Sequence, residues 1–443
     1  MAEWCRHYGV AIWAYRLVPN NVDLIAVSNE EESLHLATGE AHLEPRKPGR
    51  KPKAKQIEIM SPGLRDSTAV SLVHCKSYDS SLVDAAVRKA LEPFGGMGRF
   101  VKPGARVLIK PNLLSARAPE KRVTTDPEMV RSVVTLVMEA GGRPFIGDSP
   151  GIEPFKRVIA KTGIEEVAGK LGIDLLELSD PRPVTLPEGS LFRNLEIASQ
   201  ALDADVVINL PKLKTHTQML MTLGVKNLFG TIVAQRKTEW HYMTGLNRDT
   251  FASLLLHIYE AVRPSLTILD GIWGMDGDGP GNGNPCRLNL VAAARDAVAL
   301  DITICRLLNI PLEIFPLYRA ARAAGIGEIR PDRIKVKGSS LESFQIPEFQ
   351  VPELDSLRIL PGIFDGFAKR YLISKPVQDP GTCAGCGECV EACPADAIEL
   401  EQRRLHFDYD ACIRCYCCQE ICPRGAIGFK KGLLLKVLNR FHR

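Results

Sequence analysis

From about residue 69 to 340, short apolar runs alternate with longer amphipathic stretches. This is the pattern of an α/β domain with a largely parallel sheet, because strands covered on both faces are apolar throughout and the covering helices are apolar along one stripe. Residues 69–74, 107–110, 144–147, 206–210 and 266–269 read as buried strands, and 80–92, 127–141, 154–162, 250–261 and 296–308 as helices. Asp126 followed by Pro127 supplies an N-cap and a proline at the first helical position, where no intrahelical donor is lost. Polar residues cluster directly after the strands. In an open α/β sheet that edge is where ligands bind.

The flanks break this rhythm. Residues 1–60 show no sustained periodicity, and EPRKPGRKPKAK, from Glu44 to Lys55, is a proline-broken basic run that cannot build a core. We read this stretch as an irregular extension, or as sequence upstream of a true start at Met60. Residues 341–375, rich in proline and isolated apolar positions, read as a linker packed along the main domain. In 430–443, Leu433, Leu434, Val437, Leu438 and Phe441 recur at helical spacing among Lys430, Lys431, Lys436 and Arg440. A basic amphipathic helix results, suited to docking on the protein's own body, on a redox partner or on a membrane surface. With 24% charged and 45% hydrophobic residues the chain is ordinary globular material. It contains no apolar run of about 18 residues and no basic-then-apolar leader, so we expect a cytoplasmic protein without an integral membrane span. A net charge of +4 is too small to argue for nucleic acid, and we expect none as a partner.

The cysteines change the picture more than composition does. C-x-x-C-x-x-C-x-x-x-C-P is written twice, as Cys383, Cys386, Cys389, Cys393 and Pro394, and as Cys412, Cys415, Cys418, Cys422 and Pro423. The offset of 29 residues also superimposes Glu391 on Glu420, Ala397 on Ala426 and Ile398 on Ile427, so the segment is an internal repeat. Paired C-x-x-C runs also make zinc sites, but a zinc module rarely shows a third cysteine at the same interval and a proline after the fourth. The run resembles a bacterial two-cluster ferredoxin domain. That resemblance implies a small α+β fold over 376–429 and two [4Fe-4S] clusters. It implies Cys383, Cys386, Cys389 and Cys422 as ligands of one, and Cys412, Cys415, Cys418 and Cys393 as ligands of the other. Cys417 falls opposite Glu388 in the repeat and reads as a bystander; Cys5, Cys75, Cys286 and Cys305 read as scattered reduced thiols.

Five strings mark the ends of the predicted strands: IKPNL from Ile109, IGDSP from Ile146, VINLPKLKTH from Val207, GVKNLFG from Gly224 and DGIWGMDGDGP from Asp270. As a set they resemble the domain of unknown function 362 family, over roughly 69–305, in which this domain is often joined to a two-cluster ferredoxin module. The resemblance implies architecture more than activity.

On their own chemistry these strings describe a cation-rich site. Lys110 and Asn112 follow one strand, Asp148 and Ser149 another, and Lys212, Lys214 and His216 a third; Lys226 and Asn227 add a second cationic strip. Lysine is rarely buried unless paired, so these positions either lie on a solvated rim or form an anion cleft for carboxylate or phosphate. We take Lys110, Asp148, Lys212, Lys214, His216 and Lys226 as the candidate catalytic set. His216 could serve as acid, base, metal ligand or structural residue; His241 is a weaker candidate. Gly224 and Gly230 either admit a ligand close to the backbone or permit tight helix packing. The stretch from Asp270 to Pro280 reads as a lid or cleft wall, with Asp270, Asp276 and Asp278 as oxygen donors for Mg²⁺ or Ca²⁺ in an alternative reading. No glycine-rich phosphate loop is present, and we expect no nucleotide cofactor.

Two functional classes follow. The first is an iron-sulfur oxidoreductase that relays single electrons from a low-potential cytosolic donor, or to such an acceptor, with a small anionic substrate in the cleft. The second is a non-catalytic electron carrier or adaptor whose α/β domain docks a redox partner. They separate on whether the lysines line one pocket.

Overall fold

The computed structural model describes residues 55–56, 68–151, 153–186, 190–192, 194–233, 236–244, 247–352 and 375–430. The features expected in 1–54, in 353–374 and in the helix beyond Lys430 lie outside these residues.

Alternation along each central strand builds the architecture. In β2 (Arg106–Pro111), which follows β1 (Ala69–His74) and α1 (Ser80–Leu91), Val107 and Ile109 enter one apolar layer and Leu108 the other. Both faces are therefore covered. One layer is closed by α1, α2 (Pro127–Glu139), α3 (Phe155–Lys161) and α4 (Ile164–Leu171), through residues such as Val87, Val133, Val158 and Ile164. Between them run β3 (Arg143–Asp148) and then β4 (Asp174–Glu177). The chain returns as β5 (Val206–Leu210), β6 (Lys212–His216) and β7 (Leu220–Thr222), then α5 (Gly224–Asn227), α6 (Arg236–Thr244) and α7 (Arg248–Val262). The second layer is closed by α7 with α8 (Ala297–Leu307) and α9 (Pro316–Ala324), and a long hairpin, β8 (Leu266–Asp276) and β9 (Asn284–Ala294), lies between α7 and α8.

With β10 (Lys335–Gly338), ten strands form one sheet in the order β10-β1-β9-β8-β5-β2-β3-β4, with β6 paired to β8 and to β7. From β8 through β5, β2 and β3 to β4 every pairing is parallel; β9 is antiparallel to both of its neighbours. The chain steps from β2 outward to β3 and β4 and then re-enters on the other side of β2 as β5. That reversal opens a crevice beyond the carboxyl ends of β2 and β5.

The expected strands 69–74 and 206–210 coincide with β1 and β5. The stretch after Asp270, read as a lid or cleft wall, is strand for most of its length, because β8 continues to Asp276 and pairs with β9. Its glycines sit where neighbours press in: a Cβ on Gly274 would stand 2.8 Å from Leu288 Cδ1 and 3.0 Å from Leu213 O. Glycine here serves close packing between strands, which a composition-based reading takes for a loop.

A small α+β unit follows, made of β11 (Lys375–Gln378), α10 (Glu388–Glu391), β12 (Ile398–Glu401), β13 (Arg404–Phe407), α11 (Cys417–Ile421) and β14 (Ile427–Lys430). β11 pairs with β14 and β12 with β13, both antiparallel. The repeat is visible in three dimensions. Ala397 N–H donates to Cys393 Sγ and Ala426 N–H to Cys422 Sγ, each at 3.2 Å.

Candidate functional site

The crevice at the β2/β5 reversal is walled first by an ion pair. Lys110, at the end of β2, and Asp148, at the end of β3, meet at 2.7 Å with side chains only 1% and 5% exposed. Asp148 is held from both sides: Oδ1 also accepts from Ser149 N–H at 2.9 Å, and Oδ2 from Leu113 N–H at 2.8 Å. Burial pulls the Lys110 ammonium below the usual lysine range, and the Asp148 charge opposes that shift. Gly230 backs the pair so closely that a Cβ there would strike Asp148 Oδ1 and Lys110 Nζ. Gly224 has another task, since its Cβ would press on Asp301 and Ala297, where helix packs on helix.

β6 projects Lys212, Lys214 and His216 on one side, two residues apart. They end in three different environments. Lys212 is fully buried, 2.9 Å from Asp270 Oδ2 and 2.7 Å from the Tyr78 hydroxyl, and does not line the cleft. Lys214 donates to Asn112 Oδ1 at 2.9 Å and to Val123 O at 2.6 Å, and Asn112 is fixed in turn by a buried amide chain through Asn227 to Asn209. Burial lowers the Lys214 ammonium to about 7; the nearby Glu420 charge opposes this, and the Lys226 and Lys212 charges add to it. His216 Nδ1 accepts from the backbone N–H groups of Gln218 and Met219 at 3.1 and 3.3 Å. The imidazole proton is thereby assigned to Nε2. Burial, reinforced by Lys226, His241 and Lys214, pushes the ring well below its usual range, so His216 is a neutral donor.

The cleft is completed by Lys226 and by three residues of α6, Lys237, Thr238 and His241. The Lys226 ammonium lies 5.1 and 5.4 Å from the ring centroids of Phe229 and Phe251 and has no carboxylate partner among the described residues. Lys237 donates to Ser149 O and is lowered to about 7, chiefly by burial. His241 is lowered to about 3, again by burial first and then by Lys226 and Lys237. The cleft offers about 130 Å³, room for a small polar ligand where one water needs roughly 10–15 Å³. Thus Lys110, Asp148, Lys214, His216 and Lys226 come together, Lys212 stands behind them in a closed network, and Lys237 joins them.

One wall belongs to the C-terminal unit. Ala392, Cys417, Glu420 and Ile421 line the same cleft. Glu420 Oε1 lies 3.2 Å from His216 Nε2, yet the two are not aligned for a hydrogen bond, and neither atom has another partner among the described residues. The units are fastened nearby: Arg117 donates to Cys422 O at 2.7 Å and to Pro423 O, Asn282 donates to Gln419 O at 2.8 Å, and Gln419 donates to Asp278 O at 2.8 Å. The three aspartates of 270–280 do not converge. Asp270 faces Lys212, and Asp276 accepts from Gln350 N–H.

The eight repeat cysteines fall into two groups. Cys383, Cys386, Cys389 and Cys422 ring one cavity. Cys393 and Cys418 each feel the charges of Cys412 and Cys415, and Cys418 also feels Cys389 of the first group. Among the described residues no three His, Cys, Asp or Glu side chains converge on one point as a single ion requires. Four cysteines around a cavity instead suit a cubane, whose irons occupy separate corners. The fit therefore favours iron-sulfur clusters over zinc.

Comparison with known proteins agrees. The family model described as a domain of unknown function (DUF362) matches residues 107–306, and that of a 4Fe-4S dicluster domain matches 375–423. The chain is 38% identical over 309 residues to the thylakoid-associated protein sll1697 of Synechocystis sp. (strain ATCC 27184 / PCC 6803 / Kazusa), covering 69% of this chain and 96% of that protein. Among solved structures, the lactate racemase apoprotein from Thermoanaerobacterium thermosaccharolyticum gives a TM-score of 0.34 at 12% identity, over 54% of this chain and 56% of that one. A protein from Thermotoga maritima gives 0.28 at 12% identity, over 44% and 51%. The chain spans little more than half of each of these two structures. It does cover its Synechocystis relative almost end to end, and its strand-end strings and repeated cysteines lie within the two matched domains; the chain belongs to the DUF362 family and bears a 4Fe-4S dicluster domain suited to electron transfer.

Proposed function

We propose that the protein is an iron-sulfur oxidoreductase in which a small anion, bound in the lysine-lined cleft, exchanges single electrons with the ferredoxin-like unit. One observation carries this reading: α11, inside the second cysteine run, is itself a wall of the cleft. An adaptor gains nothing from such a shared wall, whereas an enzyme needs its electron source and its substrate in contact.

Cys383, Cys386, Cys389 and Cys422 would hold one [4Fe-4S] cluster, and Cys393, Cys412, Cys415 and Cys418 the second; when bound, the pair supplies one-electron chemistry. The chain's own residues do the rest. Lys226 and Lys237 attract the anion, and Lys214 and His216 Nε2–H donate to charge that develops on it. Asp148 positions Lys110, and Lys212 anchors β6 from behind. Cys386 is exposed and marks the side open to a low-potential cytosolic donor or acceptor protein, while buried Cys415 and Cys418 mark the inner side. Cytoplasmic residence belongs to this reading, and cell fractionation separates it from the thylakoid association that the Synechocystis relative's name records.

The test is an iron and acid-labile sulfide assay with EPR of the dithionite-reduced, anaerobically purified protein, followed by reoxidation with small carboxylates that carry a reducible carbonyl or carbon-carbon double bond. We expect about eight irons per chain and at least one anion that speeds reoxidation. Lys226→Ala should slow that step about tenfold at unchanged iron content. Zinc in place of iron, or reoxidation indifferent to every anion, would leave the adaptor as the better account.

A further inference from the structure

We propose that Lys226 is an amine nucleophile that forms an imine with a small oxo acid, an anion carrying an aldehyde or ketone group, held in the cleft. This deepens the proposed function and rests on its reading of the cleft as an anion site.

The lysines of the cleft differ in what their nitrogens touch. Lys110 is paired with Asp148 and also donates to Pro111 O at 2.8 Å. Lys214 donates to Asn112 Oδ1 and Val123 O, and Lys237 to Ser149 O. Each of these nitrogens is tied to the wall. Lys226 lines the same space with neither a hydrogen bond nor an ion pair among the described residues; beside it lie the rings of Phe229 and Phe251. Such rings attract a cation weakly, but they offer no lone pair, so the nitrogen forfeits no hydrogen bond when it gives up its proton. Burial pulls the group below the usual lysine range, against the Glu420 and Cys417 charges. A desolvated lysine without a counter-ion is the kind that attacks carbonyl carbon.

The remaining donors suit the rest of an oxo acid. Lys237 attracts its carboxylate, and His216 Nε2–H, free because Nδ1 is occupied by two backbone donors, is a donor for its carbonyl oxygen. Uncharged Lys226 Nζ adds to the carbonyl carbon and a C–N bond forms. The carbonyl oxygen then leaves as water with the two amine hydrogens, and the C=N bond remains. No electron changes hands in this step.

The experiment treats the anaerobic, iron-loaded full chain with sodium pyruvate or sodium glyoxylate and sodium cyanoborohydride, which reduces an imine to a stable secondary amine, and maps the adducts by mass spectrometry. Lys226 should be labelled at least about tenfold faster than Lys110, Lys214 or Lys237. Acetone, a ketone without the carboxylate, should label it at least about tenfold more slowly than pyruvate, and propionate, a carboxylate without the ketone, should protect it. Lys226→Arg should lose the adduct at unchanged iron content; if that variant loses iron, the wild-type map and the acetone and propionate comparisons decide alone. No Lys226 adduct from either acid, or labelling spread evenly over the four lysines, would overturn the nucleophile, and labelling by acetone as fast as by pyruvate would overturn the choice of an anion. The two proposals fail separately. Oxo acids that speed reoxidation without an adduct leave the oxidoreductase and remove the imine, whereas an adduct with reoxidation indifferent to oxo acids keeps the imine and removes the oxidoreductase.

Discussion

Single lysines in the cleft differ in how firmly they hold their protons, and this gives the site a pH dependence with a definite sign. Lys214 and Lys237 are each lowered to about 7, with burial the largest cause. Facing Lys214 are Glu420, Lys226, Lys212 and Asp148; facing Lys237 are Asp148, Lys110, Lys226 and Glu177. Below about 7 both ammoniums are charged, and above it both become neutral. Binding of a small carboxylate, whose own charge is constant there, should therefore weaken as pH rises from about 6 to 8, as read by titration calorimetry; binding that strengthens would contradict this. Lys212 behaves otherwise. With Lys212 and Asp270 both at 0% exposure, Lys212→Ala leaves a buried carboxylate uncompensated and should cost about 3–5 kcal/mol of stability, measured by urea unfolding. Sequence made Lys110, Lys214, His216 and Lys226 visible, because charge directly after an apolar strand needs a partner or a ligand. It gave Lys212 the same appearance, since Tyr78 and Asp270 approach it only in the fold. Lys237 lies on a helix that reads as surface, and Cys417 and Glu420 reach the cleft from some two hundred residues away in sequence, a juxtaposition that no local pattern encodes.

At the scale of elements, α11 has two allegiances. It spans the second cysteine run and also closes the cleft, and Arg117, Asn282 and Gln419 hold it there. Arg117→Ala removes two charge-assisted bonds to the carbonyls of Cys422 and Pro423, a loss of about 1.5–3 kcal/mol for each such bond at most. Hydrogen exchange over 417–430 should accelerate in that variant while iron content stays constant; unchanged exchange would mean the contact does not hold α11 in place. The strands and helices of the α/β domain were legible because burial on two faces and amphipathic stripes leave clear periods. Most of the β8–β9 hairpin was not: aspartates and glycines dominate 270–280, and only the opposing strand shows that the glycines are there for close packing.

For the whole molecule, order along the chain and order in space diverge at the β2/β5 reversal, which places the ends of three strands around one crevice and leaves one side for the cysteine-rich unit to fill. The fold class was readable from periodicity, and the iron-sulfur unit from the cysteine repeat. Their assembly into one cleft was not, since the hydrogen bonds that join them end on backbone carbonyls and the ion pairs Arg157–Glu388 and His216–Glu420 link residues far apart in sequence. The crossed cysteine groups add a further consequence. Each half of the repeat lends one cysteine to the other's group, so in the proposed reading neither half is a smaller working part, and α11 should loosen when the clusters are lost. Removing iron with a chelator under argon should abolish anion binding by calorimetry as well as the EPR signal. Affinity for the small molecule would then rise and fall with the cell's supply of iron, and a metal-starved copy of this protein would be blind to its ligand instead of holding it unreacted.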